Sequence, residues 1–196
     1  MPRWDPNAED RLREAAVELF LERGYENVTV AEITERAGLT RRSFSRYFAD
    51  KRDVLFAGSE RLPAVLADSV RQADPALPPF EALLAALIET AGPLTDQAAL
   101  VAQRQAVVRT SPELQERGRT KLAAATEAVA EALRERGTAA SQAALLAEAG
   151  IAVFRTAFQR WTDRPDEAGL PARIREAAAD LAAGLAAVDF TALPRP

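Results

Sequence analysis

The chain has 196 residues, 48% apolar and 28% charged, with a formal net charge of −4, the composition of an ordinary soluble globular protein. It contains no Cys and no His, which excludes disulfides, iron–sulfur clusters, Cys/His zinc sites, thiol nucleophiles and histidine acid–base chemistry. No stretch approaches the ~20 apolar residues of a membrane span, and Met1-Pro-Arg-Trp-Asp-Pro lacks the apolar centre of a signal peptide. The expected compartment is therefore the cytoplasm, with no membrane partner. No catalytic residue, metal ligand or cofactor is assigned.

The chain reads as helical from its start. Leu12, Ala15, Ala16, Leu19 and Phe20 fall on one stripe of the 3.6-residue period, and Gly24 follows the last turn, where a left-handed residue closes a helix. Thr29 stands at an N-cap, Glu32 three residues on completes a capping box, and Val28 with Ile33 occupy the positions of a hydrophobic staple. These signals outweigh the short alternation Val28-Thr29-Val30 and predict a helix over about 30–37, ended by Gly38. Thr40 caps the next helix, with Leu39 and Phe44 as its staple. Asp50 caps a third, expected to be long, from Lys51 to about Gln72, with Pro63 kinking it or ending a segment. Asp74-Pro-Ala-Leu-Pro-Pro is a loop. Further helices are predicted at about 79–91, 95–110, 112–136, 140–162 and 171–188, punctuated by Gly92-Pro93, Ser111-Pro112, Gly137 and Arg164-Pro165. Residues 189–196 are expected to fray. The fold class is all-α.

Two short capped helices around a glycine turn are the sequence form of a helix-turn-helix. Phe44 and Phe48, four apart, face inward, which leaves Arg41, Arg42, Ser43, Ser45 and Arg46 on other faces. Arginine can donate two hydrogen bonds to a guanine edge in the major groove. Thr, Ser and Tyr47 hydroxyls and the Lys51 ammonium suit phosphate oxygens, which set register without reading sequence. Charge agrees: residues 36–52 hold six basic side chains (Arg36, Arg41, Arg42, Arg46, Lys51, Arg52) and one acid, Asp50. A basic island on an acidic chain marks a localised anion-binding surface.

The stretch Gly24-Tyr25-Glu-Asn-Val-Thr29-Val-Ala-Glu-Ile33-Thr-Glu-Arg-Ala37-Gly38-Leu39-Thr40-Arg-Arg-Ser43-Phe44-Ser-Arg-Tyr47-Phe48-Ala-Asp-Lys51 resembles the TetR family of bacterial repressors over about residues 8–56. The resemblance implies a three-helix DNA-binding domain over 1–56 and a helical effector-binding and dimerisation domain over 57–196. It also implies a homodimer on a double-stranded inverted-repeat operator, acting as a repressor that a small-molecule effector releases. Position by position it implicates Thr29, Thr40, Arg41, Arg42, Ser43, Tyr47 and Lys51 in DNA contact. Ser45 stands where many relatives have an aromatic, Arg42 where many have Gly, and Thr34 where Ala is common. The family's dimer helices correspond to 140–162 and 171–188. In the first, Ala144, Leu145, Ile151, Phe154, Phe158 and Trp161 either form a seam with a second chain or pack within their own; periodicity does not separate the two.

Arg104 lies on the apolar stripe of Leu100, Val101, Val107 and Val108. A charge there needs a ligand, a carboxylate partner or a path to water. The segment Arg104 to Leu114, with Ser111-Pro112-Glu-Leu, is similar to the subgroup named for the mycofactocin regulator, which is associated with acyl-CoA-like ligands. Two other classes compete with a regulator. One is a helical enzyme acting through carboxylates, without the Glu-x-x-His metal motif because there is no His. The other is a helical interaction module without DNA binding.

Overall fold

The computed structural model describes residues 7–57, 59–164 and 169–189. The expectations for the opening residues, for Pro165 and for 190–196 lie outside them. Among the described residues every regular element is helical: α1 (Ala8–Arg23), a 3-10 turn (Tyr25–Asn27), α2 (Val30–Arg36), α3 (Arg41–Tyr47), α4 (Asp53–Phe56), α5 (Leu62–Gln72), α6 (Pro79–Ala91), a second 3-10 turn (Gly92–Gln97), α7 (Ala98–Thr110), α8 (Pro112–Glu135), α9 (Ala140–Asp163) and α10 (Gly169–Ala186). No helix among them is long and apolar enough to cross a membrane.

Residues group into two compact units. The first holds the chain up to Leu62 together with Ala99–Leu122. Its core is built on the predicted stripe of α1, with Leu12, Phe20, Ile33, Phe44 and Leu55 all buried, and it includes Val107 of α7 and Leu114 of α8. The second unit comprises Pro63–Ala98 and the chain from Ala123 onward. There α6, α9 and α10 pack on one another. Gly150 of α9 lies so close to Leu83 of α6 that a Cβ would overlap the leucine side chain. Arg160 of α9 pairs with Asp180 of α10 at 2.7 Å.

Two expectations about helix bounds need correction. The long helix over 51–72 is interrupted. Asp50 Oδ1 accepts from the N–H groups of Arg52 at 2.8 Å and Asp53 at 3.0 Å, but in the turn that leads into α4, whose N-cap is Arg52 and which begins at Asp53 rather than at Lys51. That helix closes after Phe56, where Ala57 turns to extended ψ. Ser59 then donates its N–H to the Phe56 carbonyl at 2.9 Å. Pro63 sits in the first turn of α5, where its missing N–H costs nothing, so it marks a start rather than a kink. In the same way Pro93 opens the second 3-10 turn, which delays α7 to Ala98.

On α9 the two alternatives divide by residue. Trp161 and Ile151 are buried and Phe154 and Phe158 half-buried within this chain, while Ala144 and Leu145 are exposed, Leu145 by 70%. A second exposed apolar stretch lies at the end of α10 and just after it. From Ala182 to Val188 every residue is exposed and none is charged.

Candidate nucleic-acid interface

The helix-turn-helix is set by its caps. Thr29 Oγ1 accepts from the Glu32 N–H at 3.3 Å, and the Glu32 carboxylate accepts from the Thr29 N–H at 2.8 Å and from its hydroxyl at 2.7 Å. The hydrogen bonds from Thr29 hold the Glu32 carboxyl below the usual carboxylate range. At the other end of α2, Leu39 N–H donates to the Thr34 carbonyl at 2.8 Å and Gly38 N–H to that of Glu35 at 3.0 Å. This is the Schellman pattern, and Gly38 takes the φ of +63° that it requires. The turn is also held from α1, because the Arg11 guanidinium donates to the Ala37 carbonyl. Gly24 likewise has positive φ, but with ψ of 147°, an extended conformation open only to glycine rather than the left-handed helical one expected. Thr34, in place of the common alanine, is buried and spends its hydroxyl on the Ala31 carbonyl at 2.9 Å.

Thr40 caps α3 by accepting from the Ser43 N–H at 3.1 Å, and the two hydroxyls lie 3.0 Å apart. Phe44 and Phe48 are both buried, with ring centroids 5.4 Å apart. This anchor rotates α3 so that Arg41, Arg42, Ser45 and Arg46 are exposed, with Ser43 and Tyr47 half-buried beside them. The Arg46 guanidinium stands 5.5 Å over the Tyr47 ring.

The basic island divides into two kinds of charge. Arg36 is paired with Glu22 at 2.9 Å and Glu18 at 3.2 Å. Arg52 pairs with Asp50 and, at 2.8 Å, with Glu113 of α8. Lys51 points into the protein. Its Nζ donates to the carbonyls of Tyr25 at 2.8 Å, Val28 at 3.1 Å and Glu26 at 3.4 Å, and sits 4.3 Å from the centroid of the Tyr25 ring. Burial raises the Tyr25 hydroxyl pKa to about 12, which keeps the ring neutral. The ammonium therefore fastens the 3-10 turn that leads into Thr29. Arg41, Arg42 and Arg46 make no ion pair among the described residues and remain available to a polyanion.

Several contributors carry no local sequence signal. Arg117 of α8 pairs with Asp53 of α4 and lies 5.3 Å from the centroid of the Phe56 ring. Ser111 donates to Glu26 at 3.3 Å. Arg104 of α7, expected to need a partner, donates to the Leu55 carbonyl of α4, while its Nε is buried without a partner. Burial lowers its pKa to about 10, and the neighbouring Arg13 charge adds to the drop. Among the described residues, no group of acidic side chains is arranged to hold a metal ion.

The chain is similar to known proteins over both units. Residues 12–57 match the bacterial regulatory proteins of the tetR family, and residues 77–186 match the MftR C-terminal domain. No curated protein matches. Among solved structures, FadR of Thermus thermophilus, a TetR-family repressor in complex with lauroyl-CoA, is 23% identical with a TM-score of 0.55, over 96% of this chain and 100% of that one. SmeT of Stenotrophomonas maltophilia, a multidrug efflux pump repressor, is 22% identical with a TM-score of 0.59, over 96% and 94%. FadR of Bacillus halodurans, a fatty acid degradation regulator, is 22% identical with a TM-score of 0.61, over 89% and 98%. With the helix-turn-helix built and both units matched, the chain belongs to the TetR family of DNA-binding transcriptional regulators and carries an MftR-type C-terminal domain.

Proposed function

We propose that this regulator is a cytoplasmic homodimer that represses transcription from an inverted-repeat operator and leaves it when a small-molecule effector binds. The observation that carries the reading is the outer face of α3. Phe44 and Phe48 anchor the helix from below, and Arg41, Arg42 and Arg46 lie exposed with no carboxylate partner among the described residues. In this reading Arg42 contacts a base edge, Arg41 and Arg46 contact bases or phosphates, and Ser43, Ser45, Tyr47 and Thr40 fix register on the backbone. Thr29 and Lys51 act by holding α2 and the turn before it, since their polar atoms already have internal partners.

Dimerisation is supported by the uncharged exposed end of α10 and the residues that follow it, with Leu185 53% and Val188 43% exposed, and by Leu145 on α9. A patch of this kind marks an interaction surface. An acyl-CoA-like effector is supported by the MftR-type domain and by the lauroyl-CoA bound to the Thermus thermophilus relative. Selection of bound sequences from random duplex DNA tests the reading. The expected product is an inverted repeat whose half-sites are centred roughly 34–36 Å apart or a multiple of that. Recovery of no repeat, or of a single unpaired half-site, overturns it.

A further inference from the structure

One cluster in the first unit is used neither by the caps nor by α3. Arg104 projects from α7 with one guanidinium nitrogen on the Leu55 carbonyl and with Nε buried and unpartnered. Arg13 of α1 is close enough for its charge to act on Arg104. Its outer nitrogens pair with Glu9 at 2.6 Å and Asp10 at 3.5 Å, and its Nε is also buried without a partner. Lys121 of α8 is the third member. It makes no hydrogen bond or ion pair among the described residues, and burial together with the Arg104 charge brings its pKa down to about 8. The acid whose charge opposes both shifts is Glu60, which is exposed.

Arg13, Arg104 and Lys121, from three helices, are each half-buried; the charge of Arg13 acts on Arg104 and that of Arg104 on Lys121, with Glu60 the opposing acid beyond Arg13's own partners. Grouping like charges out of water is costly, and buried N–H donors are rarely left without an acceptor. An oxyanion would supply both the missing charge and the missing acceptors. A guanidinium offers it paired N–H donors, and an ammonium offers a compact charge.

We propose that Arg13, Arg104 and Lys121 form a binding site for an oxyanion, a carboxylate or phosphate, at the polar end of the effector. This rests on the effector-responsive reading above and gives that effector its charge. Because Arg104 also holds the carbonyl of Leu55 in α4, an anion in the site competes for the guanidinium that secures the helix following the helix-turn-helix.

The chain has only two lysines, Lys51 and Lys121, so lysine-selective 13C labelling of the whole protein gives side-chain signals from those two alone. Lys121→Arg identifies them; independently, the Tyr25 ring under Lys51 displaces that signal. The pH midpoint of Lys121 is read in anion-poor buffer, with inorganic phosphate, and with decanoate. The expected result is a midpoint well below that of an ordinary lysine, raised by about one pH unit or more by at least one probe. Arg104→Gln should abolish the rise, with Arg13→Gln as the second variant if that chain does not fold. The probe that acts names the group: phosphate alone a phosphate, decanoate alone a carboxylate. If neither probe moves the midpoint, or if the rise persists in the folded variant, the site is overturned. An anion response with no operator recovered keeps the site and removes the regulator reading, whereas an operator with no anion response removes the site alone.

Discussion

Helix α3 leaves one face open and the C-terminal end of α10 is open all round, and the two surfaces are of opposite character. On α3 the open face carries Arg41, Arg42 and Arg46, without carboxylate partners among the described residues, over a floor of two phenylalanines. At the end of α10 and just beyond it, the run from Ala182 to Val188 offers only alanine, glycine, leucine and valine. A charged face remains hydrated until a polyanion displaces its water and counterions. An apolar face gains by leaving water altogether. The pairing teaches that exposure alone does not define a partner: the first face suits a phosphate backbone, and the second suits another apolar surface such as its own copy.

That contrast can be broken most forcefully on α10. Leu185→Asp should abolish the proposed dimer, at a cost of about 3–5 kcal/mol for an unpaired charge in an interface, and weaken operator binding with it. Sedimentation velocity reads the first effect. A variant that stays dimeric would assign the face to something other than a second copy. Next in size, Lys51→Met should destabilise the fold by about 3 kcal/mol in a urea titration, because three carbonyls lose a charged donor. If stability is unchanged and only operator affinity falls, Lys51 serves DNA rather than the turn. The smallest effect sharpens the charged face. Arg42→Ala should cost about 1–3 kcal/mol on the preferred operator and relax one base position. A loss spread evenly over all sequences, with a shallower salt dependence, would place Arg42 on a phosphate.

The sequence is informative about this interface because its determinants are local. Thr29 with Glu32, Gly38, Thr40, and Phe44 with Phe48 each act within a few residues, and each is found in its expected place. What could not be read depends on distant partners. Lys51 has the form of a phosphate ligand until the Tyr25, Glu26 and Val28 carbonyls are seen to surround it. Arg36 and Arg52 count as free charge in a sum along the chain but are neutralised by acids of α1 and α8. The interruption after Phe56 escaped for a different reason. Asp50 signals a helix nearby, and its carboxylate does bind the N–H groups of Arg52 and Asp53, but such a signal carries no information about length. Trp161 and Ile151 fit an intermolecular seam and an internal core equally well by period, and only packing decides for the core.

The first unit is not one continuous piece of chain. Val107 and Leu114 complete the core beneath the DNA-binding helices, and Arg117 and Glu113 reach α4 and its leading residues from α8. The obvious way to engineer new regulators is to graft the first sixty residues of one relative onto the remainder of another. A junction at residue 62 would separate those helices from part of their own foundation and seat them on a foreign α7 and α8. A transplantable head must therefore carry residues 99–122 with it, so a working chimaera of this protein needs three junctions rather than one.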